Sequence, residues 1–265
     1  MILGFLLTIN SDMNKIIIGD ATLYCGNCLD ILPEITNIDL VCCDPPYGTT
    51  LMEWDTIIDY STLWPLLRKS CSKRYIMTAS QPFTSALVMS NTKQFSHELI
   101  WSKSKTGNPF LAKIMPMKTH ENILVFGKGP YNPIMTPGEP YTRMVRSANK
   151  NNTTNNHKYG VKDDHLIENK GERYPKSVQH FTQNWSRQQQ IHPTQKPVEL
   201  MKWLIETYSN PNDTILDFSM GSGTTGIAAI QAGRKFVGIE ISDVYFKIAQ
   251  DRIQEAVNAI VPTIP

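Results

Sequence analysis

The chain has no apolar run long enough to cross a membrane. It has no strong charge of one sign either: 26 Lys and Arg stand against 24 Asp and Glu, a net charge of +2. The first absence speaks against a membrane-spanning role, and the second against a chain that binds polyanions over its whole surface. Cysteines are few and poorly arranged for metal. Cys25 and Cys28 have metal-ligand spacing, but no second pair of that spacing exists. Cys42 and Cys43 are neighbours in an apolar run, where strand geometry points them to opposite faces. An odd set of five suits small core residues in a reducing cytoplasm better than a disulfide framework, and no metal is expected. There is no internal repeat. Met1–Thr8 is apolar but lacks a basic flank and a small-residue cleavage site, so no signal peptide is expected. Met13-Asn14-Lys15 looks like an ordinary start, and the first twelve residues are expected to be dispensable for soluble, active protein.

What is present is enough apolar residue, 41%, for a sizeable core in 265 residues: one α/β domain with an insertion. Charge is unevenly placed. Between Lys128 and Arg187 ten Lys and Arg face five Asp and Glu, a local +5, while the rest of the chain stands at −3. A basic segment on a mildly acidic body suggests an anionic partner at one place. Residues 127–190 are also rich in Asn and Gln and carry Asn151-Asn152-Thr153-Thr154-Asn155-Asn156, without apolar periodicity. They read either as a disordered insertion or as a recognition region, since Asn, Gln and Arg pair bidentately with adenine and guanine edges.

Strands are expected over Ile16–Ile18, Ala21–Cys25, Ile38–Cys43, Tyr75–Ala79, His97–Trp101, Glu121–Phe126, Thr214–Phe218 and Lys235–Glu240. Helices are expected from Pro33, from beyond Asp55 to about Cys71, from Gln81-Pro82-Phe83, and over Lys196–Ser209, Thr224–Ala232 and Asp243–Val257. Between the strands that end at Trp101 and begin at Glu121, Lys103, Lys105, Lys113 and Lys118 are read as a loop that neutralises phosphates, against the plainer reading of a solvated loop.

The run that ends at Cys43 meets Asp44-Pro45-Pro46-Tyr47. Two prolines stop the strand, fix the backbone and leave carbonyls that no ladder claims. An acid, a free carbonyl and an aromatic ring then sit on a stiff turn at a strand's carboxyl end, where open α/β sheets bind ligands. A flat heterocycle can stack on Tyr47 while its exocyclic amine donates to Asp44 and to the Pro45 carbonyl. Residues 48–55 would form a lip over that pocket, with Trp54 either stacking there or packing in the core. Farther on, Gly221, Gly223 and Gly226 fit G-x-G-x-x-G, with Glu240 about twenty residues after the first. Glycines let backbone approach an anion at a helix N-terminus, and the acid binds ribose hydroxyls. Alone, that fingerprint also fits a nicotinamide oxidoreductase. Asp217 before the loop places a carboxylate where an amino group of S-adenosylmethionine could sit, which a nicotinamide site does not need.

In this order, the Asp44–Tyr47 turn, His192-Pro193-Thr194-Gln195-Lys196-Pro197, the glycine loop and Glu240 resemble the beta-class amino methyltransferases of DNA, from about Lys15 onward. The resemblance implies a doubly wound, mostly parallel, seven-stranded Rossmann-like methyltransferase sheet with an inserted target-recognition region. Its divisions would be an extension (1–14), a catalytic half (15–126), the recognition insertion (127–190) and a cofactor-binding half (191–265). It implies methyl transfer from S-adenosylmethionine to an exocyclic amine of a base flipped from double-stranded DNA, by a cytoplasmic monomer or homodimer of a prokaryotic cell or of a virus or mobile element within one. Asp44, Pro45, Pro46 and Tyr47 would be catalytic. Asp217, Gly221 and Gly223 would line the methionine moiety, Glu240 would hold the ribose, and Lys196 and Thr224 are candidates for the methionine carboxylate. Asn27 replaces the family's acid near the adenine, where it either contacts the base or serves only the turn. His192 is expected to shape its turn and Tyr245 to pack in the core. Adenine N6 is the expected target because family members with Asp at position 44 usually methylate adenine, while Ser usually marks cytosine N4. Methylation of cytosine, RNA or a protein glutamine, a nicotinamide oxidoreductase and a catalytically silent DNA-binding module are the rivals.

Overall fold

The computed structural model describes residues 14–49, 55–107, 109–145, 165–183 and 195–260. In chain order the elements are β1 (Lys15–Ile18), β2 (Ala21–Cys25), α1 (Cys28–Ile31), β3 (Leu40–Cys43), α2 (Tyr60–Ser70), β4 (Arg74–Ala79), α3 (Phe83–Ser90), β5 (Phe95–Gly107), β6 (Lys118–Gly127), β7 (Thr136–Pro137), β8 (Tyr141–Val145), β9 (His165–Asn169), β10 (Glu172–Arg173), β11 (Val178–Phe181), α4 (Val198–Tyr208), β12 (Thr214–Asp217), α5 (Thr224–Gln231), β13 (Lys235–Glu240) and α6 (Asp243–Ile260). Among the described residues one nine-stranded sheet runs β1-β2-β13-β12-β3-β4-β6-β5-β11. Its centre, from β2 to β4, is parallel. The strand β6 then runs antiparallel to both β4 and β5.

The sheet is doubly wound because its central strands bury both faces. Along β3, Leu40 and Cys42 face a core shared with α4, α5 and α6. Val41 and Cys43 face one shared with α1, α2 and α3. The two adjacent cysteines thus serve opposite layers, as alternation along a strand requires.

Two differences from the sequence reading have physical causes. The sheet expected with seven strands has nine, with one more at each edge: β1, whose span reads as a strand in the sequence, and β11, whose span does not. At one edge β1 pairs antiparallel with β2, and at the other β11 pairs parallel with β5. The four residues of β11 are exposed or half-buried, so this strand needs no apolar run to announce it. Pro33 closes a helix rather than opening one. The helix α1 begins at Cys28, where the Asn27 side chain accepts from the Leu29 amide at 3.0 Å, and Pro33 sits in a 3₁₀ turn over Leu32–Glu34.

Among the described residues the sheet and its helices fall within 14–132 and 177–260, and those of Pro133–Lys176 form a compact unit of their own. That unit is narrower than residues 127–190. Gly127 ends β6, and Asn132 is bound to α4 and the turn after it, through its amide to the Thr207 carbonyl at 2.7 Å and its side chain to the Ser209 carbonyl at 2.9 Å. Within the smaller unit β7 pairs with β10 and β8 with β9, all antiparallel. The Arg173 guanidinium lies 4.9 Å from the Tyr141 ring centroid. The first twelve residues, Trp54, Asn151–Asn156 and His192 lie outside the described residues.

Candidate active site

The residues expected to bind the cofactor lie at the carboxyl ends of β12 and β13. Gly221 and Gly223 adopt φ of 52° and 81°, the left-handed region where a side chain is disfavoured. Gly226 serves packing instead: a Cβ there would lie 2.6 Å from Ile253 and 2.8 Å from Phe236. Glu240 accepts from the Gly221 amide at 2.8 Å and the Ser242 amide at 2.9 Å, one through each oxygen. Each oxygen keeps a lone pair for a hydroxyl. Burial raises the Glu240 pKa against the lowering effect of those amides.

Asp217 is 1% exposed and accepts from the Ser219 amide at 3.1 Å. Burial pushes its pKa from 3.8 up to about 6, although hydrogen bonds from Thr225, Cys43 and Ser219 pull the other way. A buried carboxylate in this condition suits a cationic ligand group, and the amino group of S-adenosylmethionine is one. The shift has a testable consequence. Because the folded-state pKa lies above the ordinary value, the folded chain holds the proton more tightly, and this stabilisation fades as pH rises through about 6. Asp217→Asn should therefore stabilise the ligand-free protein at pH 7 by up to about 3 kcal/mol, the equivalent of two pKa units. It should also weaken cofactor binding by roughly tenfold or more, as loss of one charge-assisted contact would. Urea unfolding at pH 4 and pH 7, with calorimetric titration of the cofactor, checks both; equal stabilisation at the two pH values would count against the argument.

The target half lies at the carboxyl end of β3, the neighbour of β12. Asp55 makes the turn rigid by accepting from the amides of Tyr47, Gly48 and Thr49 at 2.8, 2.9 and 2.9 Å. The Tyr47 ring stacks on Phe83 with centroids 5.1 Å apart. Its hydroxyl donates to Asp44 Oδ1 at 2.8 Å, and the Thr78 hydroxyl bonds the same oxygen. Burial, ahead of the Asp44 charge, holds the Tyr47 pKa well above its ordinary value, so the phenol keeps its proton. Asp44 Oδ2 accepts from Lys196 Nζ at 2.6 Å. Lys196 in turn lies 3.4 Å from Glu121, which also pairs with Lys103. Burial disfavours the charge on Lys196, but Asp44 and Glu121 outweigh it and raise the lysine's pKa. For Glu121 burial is likewise outweighed, by Lys196 and Lys103, and its pKa falls. Ser219 joins the two halves, donating to the Asp44 carbonyl at 3.2 Å and lying 3.1 Å from Cys43 Sγ.

One cavity of about 430 Å³ spans both halves. Asp44, Pro45, Pro46, Tyr47, Asn27, Lys196, Asp217, Gly221, Thr224 and Glu240 line it; Gly223 does not, and packs against Ala249 and Ile253 of α6. Asn27 both caps α1 and lines the cavity. Tyr245, expected in the core, is half-buried at the cavity wall. Lys196, a candidate for the methionine carboxylate, has its ammonium on Asp44 and Glu121. The four lysines expected in one loop are divided: Lys103 and Lys105 lie on β5, Lys118 begins β6 and Lys113 alone lies between. The sequence reading missed Thr78, Glu121 and Ser219. The first two had a signal, as polar residues beside or within apolar strand runs; Ser219 had none beyond its place before the glycines.

The DNA methylase family profile matches residues 38–251. Type II methyltransferase M1.MboII of Moraxella bovis is 27% identical over 245 residues, 83% of this chain and 91% of that one. DNA adenine methyltransferase YhdJ of Escherichia coli (strain K12) is 52% identical over 65 residues, 24% of this chain and 22% of that one. Among solved structures, the cytosine-N4-specific PvuII DNA methyltransferase superposes with a TM-score of 0.61 over 92% of this chain and 93% of that one, at 14% identity, a likeness of fold. With its profile matched over most of the length, this chain belongs to the DNA methylase family.

Proposed function

We propose that the chain methylates N6 of adenine in duplex DNA, with Asp44 as the acceptor that aims the amine. The carrying observation is the occupancy of the Asp44 carboxylate. Tyr47 and Thr78 crowd Oδ1, while among the described residues Lys196 is the donor on Oδ2. A carboxylate oxygen has two lone pairs, so Oδ2 keeps one, and Asp44 and Pro45 both line the cavity. An exocyclic amine that donates there and to the Pro45 carbonyl has its lone pair turned out of the ring plane. S-adenosylmethionine supplies a methyl group already activated by a sulfonium. The chain's work is to position and polarise the amine. The base must leave the helix to reach this cavity, and the Tyr47 ring in its wall offers a stacking surface. The product's proton departs to water by way of Asp44.

Asp at position 44 supports adenine, because members of the resembled family with Asp there usually methylate adenine and those with Ser usually cytosine N4, and the name of the YhdJ relative agrees. We assign sequence choice to residues 127–190, on their +5 charge and base-reading side chains. Expression in a methylation-free host, followed by modified-base sequencing and mass analysis of the nucleosides, tests the reading. N6-methyladenine at one short sequence is the expected result; N4-methylcytosine as the main product would refute it. Exchange of residues 127–190 for those of a relative should move the methylated sequence.

A further inference from the structure

The stretch from Ser102 to His120 holds four lysines and no Asp or Glu. At its centre Phe110 is 96% exposed and Ile114 77%, with Met115 and Met117 close to half exposed. So many large apolar side chains together on a surface mark an interaction site. The loop is held in shape by its own backbone: the Ala112 amide bonds the Pro109 carbonyl at 3.3 Å, and the Ile114 and Met115 amides bond the Leu111 carbonyl at 2.8 and 2.9 Å. It therefore presents Phe110 on a formed turn.

Its position follows from the sheet. The strand β6 runs antiparallel to β4, with Asn122 opposite Ala79, and β4 runs parallel to β3, with Met77 opposite Cys43. The loop before β6 thus projects from the edge that carries Asp44. At its root Lys118 bonds Ser80, and Glu121, three residues into the strand, reaches the Lys196 that holds Asp44. Apolar side chains framed by cations, at the same end of a DNA methylase's sheet as Asp44, fit a polyanion with an apolar interior. Duplex DNA is that ligand: phosphates for the exposed Lys105 and Lys113 and a base stack for the Phe110 ring and the thioethers.

We propose that residues 109–117 form a wedge that enters the DNA base stack beside the extruded target, with Phe110 filling the gap left by the flipped base. The wedge rests on the chain's being a DNA methylase and not on which base it methylates. Opening the stack is a cost that the wedge offsets, and the cost is smaller where the target has no pairing partner. The test uses full-length protein and synthetic duplexes carrying the sequence found by modified-base sequencing. One duplex is fully paired, and the other has an abasic site opposite the target. Phe110→Ala should slow single-turnover methylation of the paired duplex by roughly tenfold or more. It should stay within about twofold of wild type on the abasic duplex, and Phe110→Trp should restore the paired rate. A paired duplex with 2-aminopurine at the target should brighten with wild type and less with Phe110→Ala. Equal loss on both duplexes, or no loss on either, would overturn the proposal. So would sedimentation showing that Phe110→Ala converts a dimer to a monomer with the same loss on both, since the loop would then be a subunit contact. Failure to methylate any DNA would instead strike at the family's activity in this chain, before the wedge is at issue.

Discussion

Asp44→Ala should lower turnover by roughly 10²–10³-fold or more, the scale of removing one transition-state electrostatic partner, while cofactor binding stays near wild type. In the proposed reaction Asp44 is the acceptor for the target amine, and the charged groups assigned to the cofactor, Asp217 and Glu240, stand on β12 and β13. Folding should survive, because Lys196 retains Glu121 at 3.4 Å as a counterion. Asp44→Asn is the sharper companion. It keeps an acceptor oxygen but places a second donor beside Lys196 and loses the charge, so it too should be severely slowed. Single-turnover incorporation of labelled methyl groups, with calorimetric titration of the cofactor, separates the two effects. Turnover within a few-fold of wild type in the alanine variant would remove Asp44 from the mechanism.

Lys196→Met should act on stability and chemistry together. It leaves Asp44 without its ammonium and Glu121 with Lys103 alone. Breaking a buried ion pair by deleting one partner typically costs about 3–5 kcal/mol, because a desolvated charge remains. The sign against pH follows from Glu121. Its folded-state pKa lies below the ordinary value, so its contribution is present at neutral pH and is lost as pH falls through that depressed pKa. Without Lys196, burial is opposed by fewer cations, and that loss should begin at higher pH. Methylation should slow as well, because Lys196 Nζ no longer holds Asp44 Oδ2 in place. Urea unfolding at several pH values and the single-turnover rate read the two effects. An unchanged unfolding midpoint together with an unchanged methylation rate would show that the lysine neither supports the fold nor holds Asp44.

The parts of this arrangement that were legible in the sequence are those whose physics is local. Asp44–Tyr47 declared itself through two prolines after an apolar run, and the glycine loop through spacing. The buried central strands showed as short apolar runs because both their faces are covered. What stayed hidden is non-local. Glu121 reads as a charged residue at the start of a strand until the sheet brings it to Lys196, seventy-five positions later in the chain. Thr78 stood out as a hydroxyl in an apolar strand, but only the β3–β4 register places it on Asp44. The strand β11 was lost for the opposite reason: an edge strand with little burial carries almost no pattern.

The sheet order has a consequence for how such a chain can be rearranged. The strands β3 and β12 lie side by side although about 170 residues separate them, so the acid turn and the glycine loop meet through lateral pairing rather than through the connection between them. At the other end of the fold, Val257 of α6 packs against the turn at Gly19, which puts the first strand and the last helix within reach of one another. A covalent joint there, with a new opening among residues 133–176, would reverse the order of the two halves and leave every strand neighbour in place. Genes that code the cofactor segment before the catalytic one can therefore specify the same cavity, and comparisons by linear alignment alone would miss that kinship.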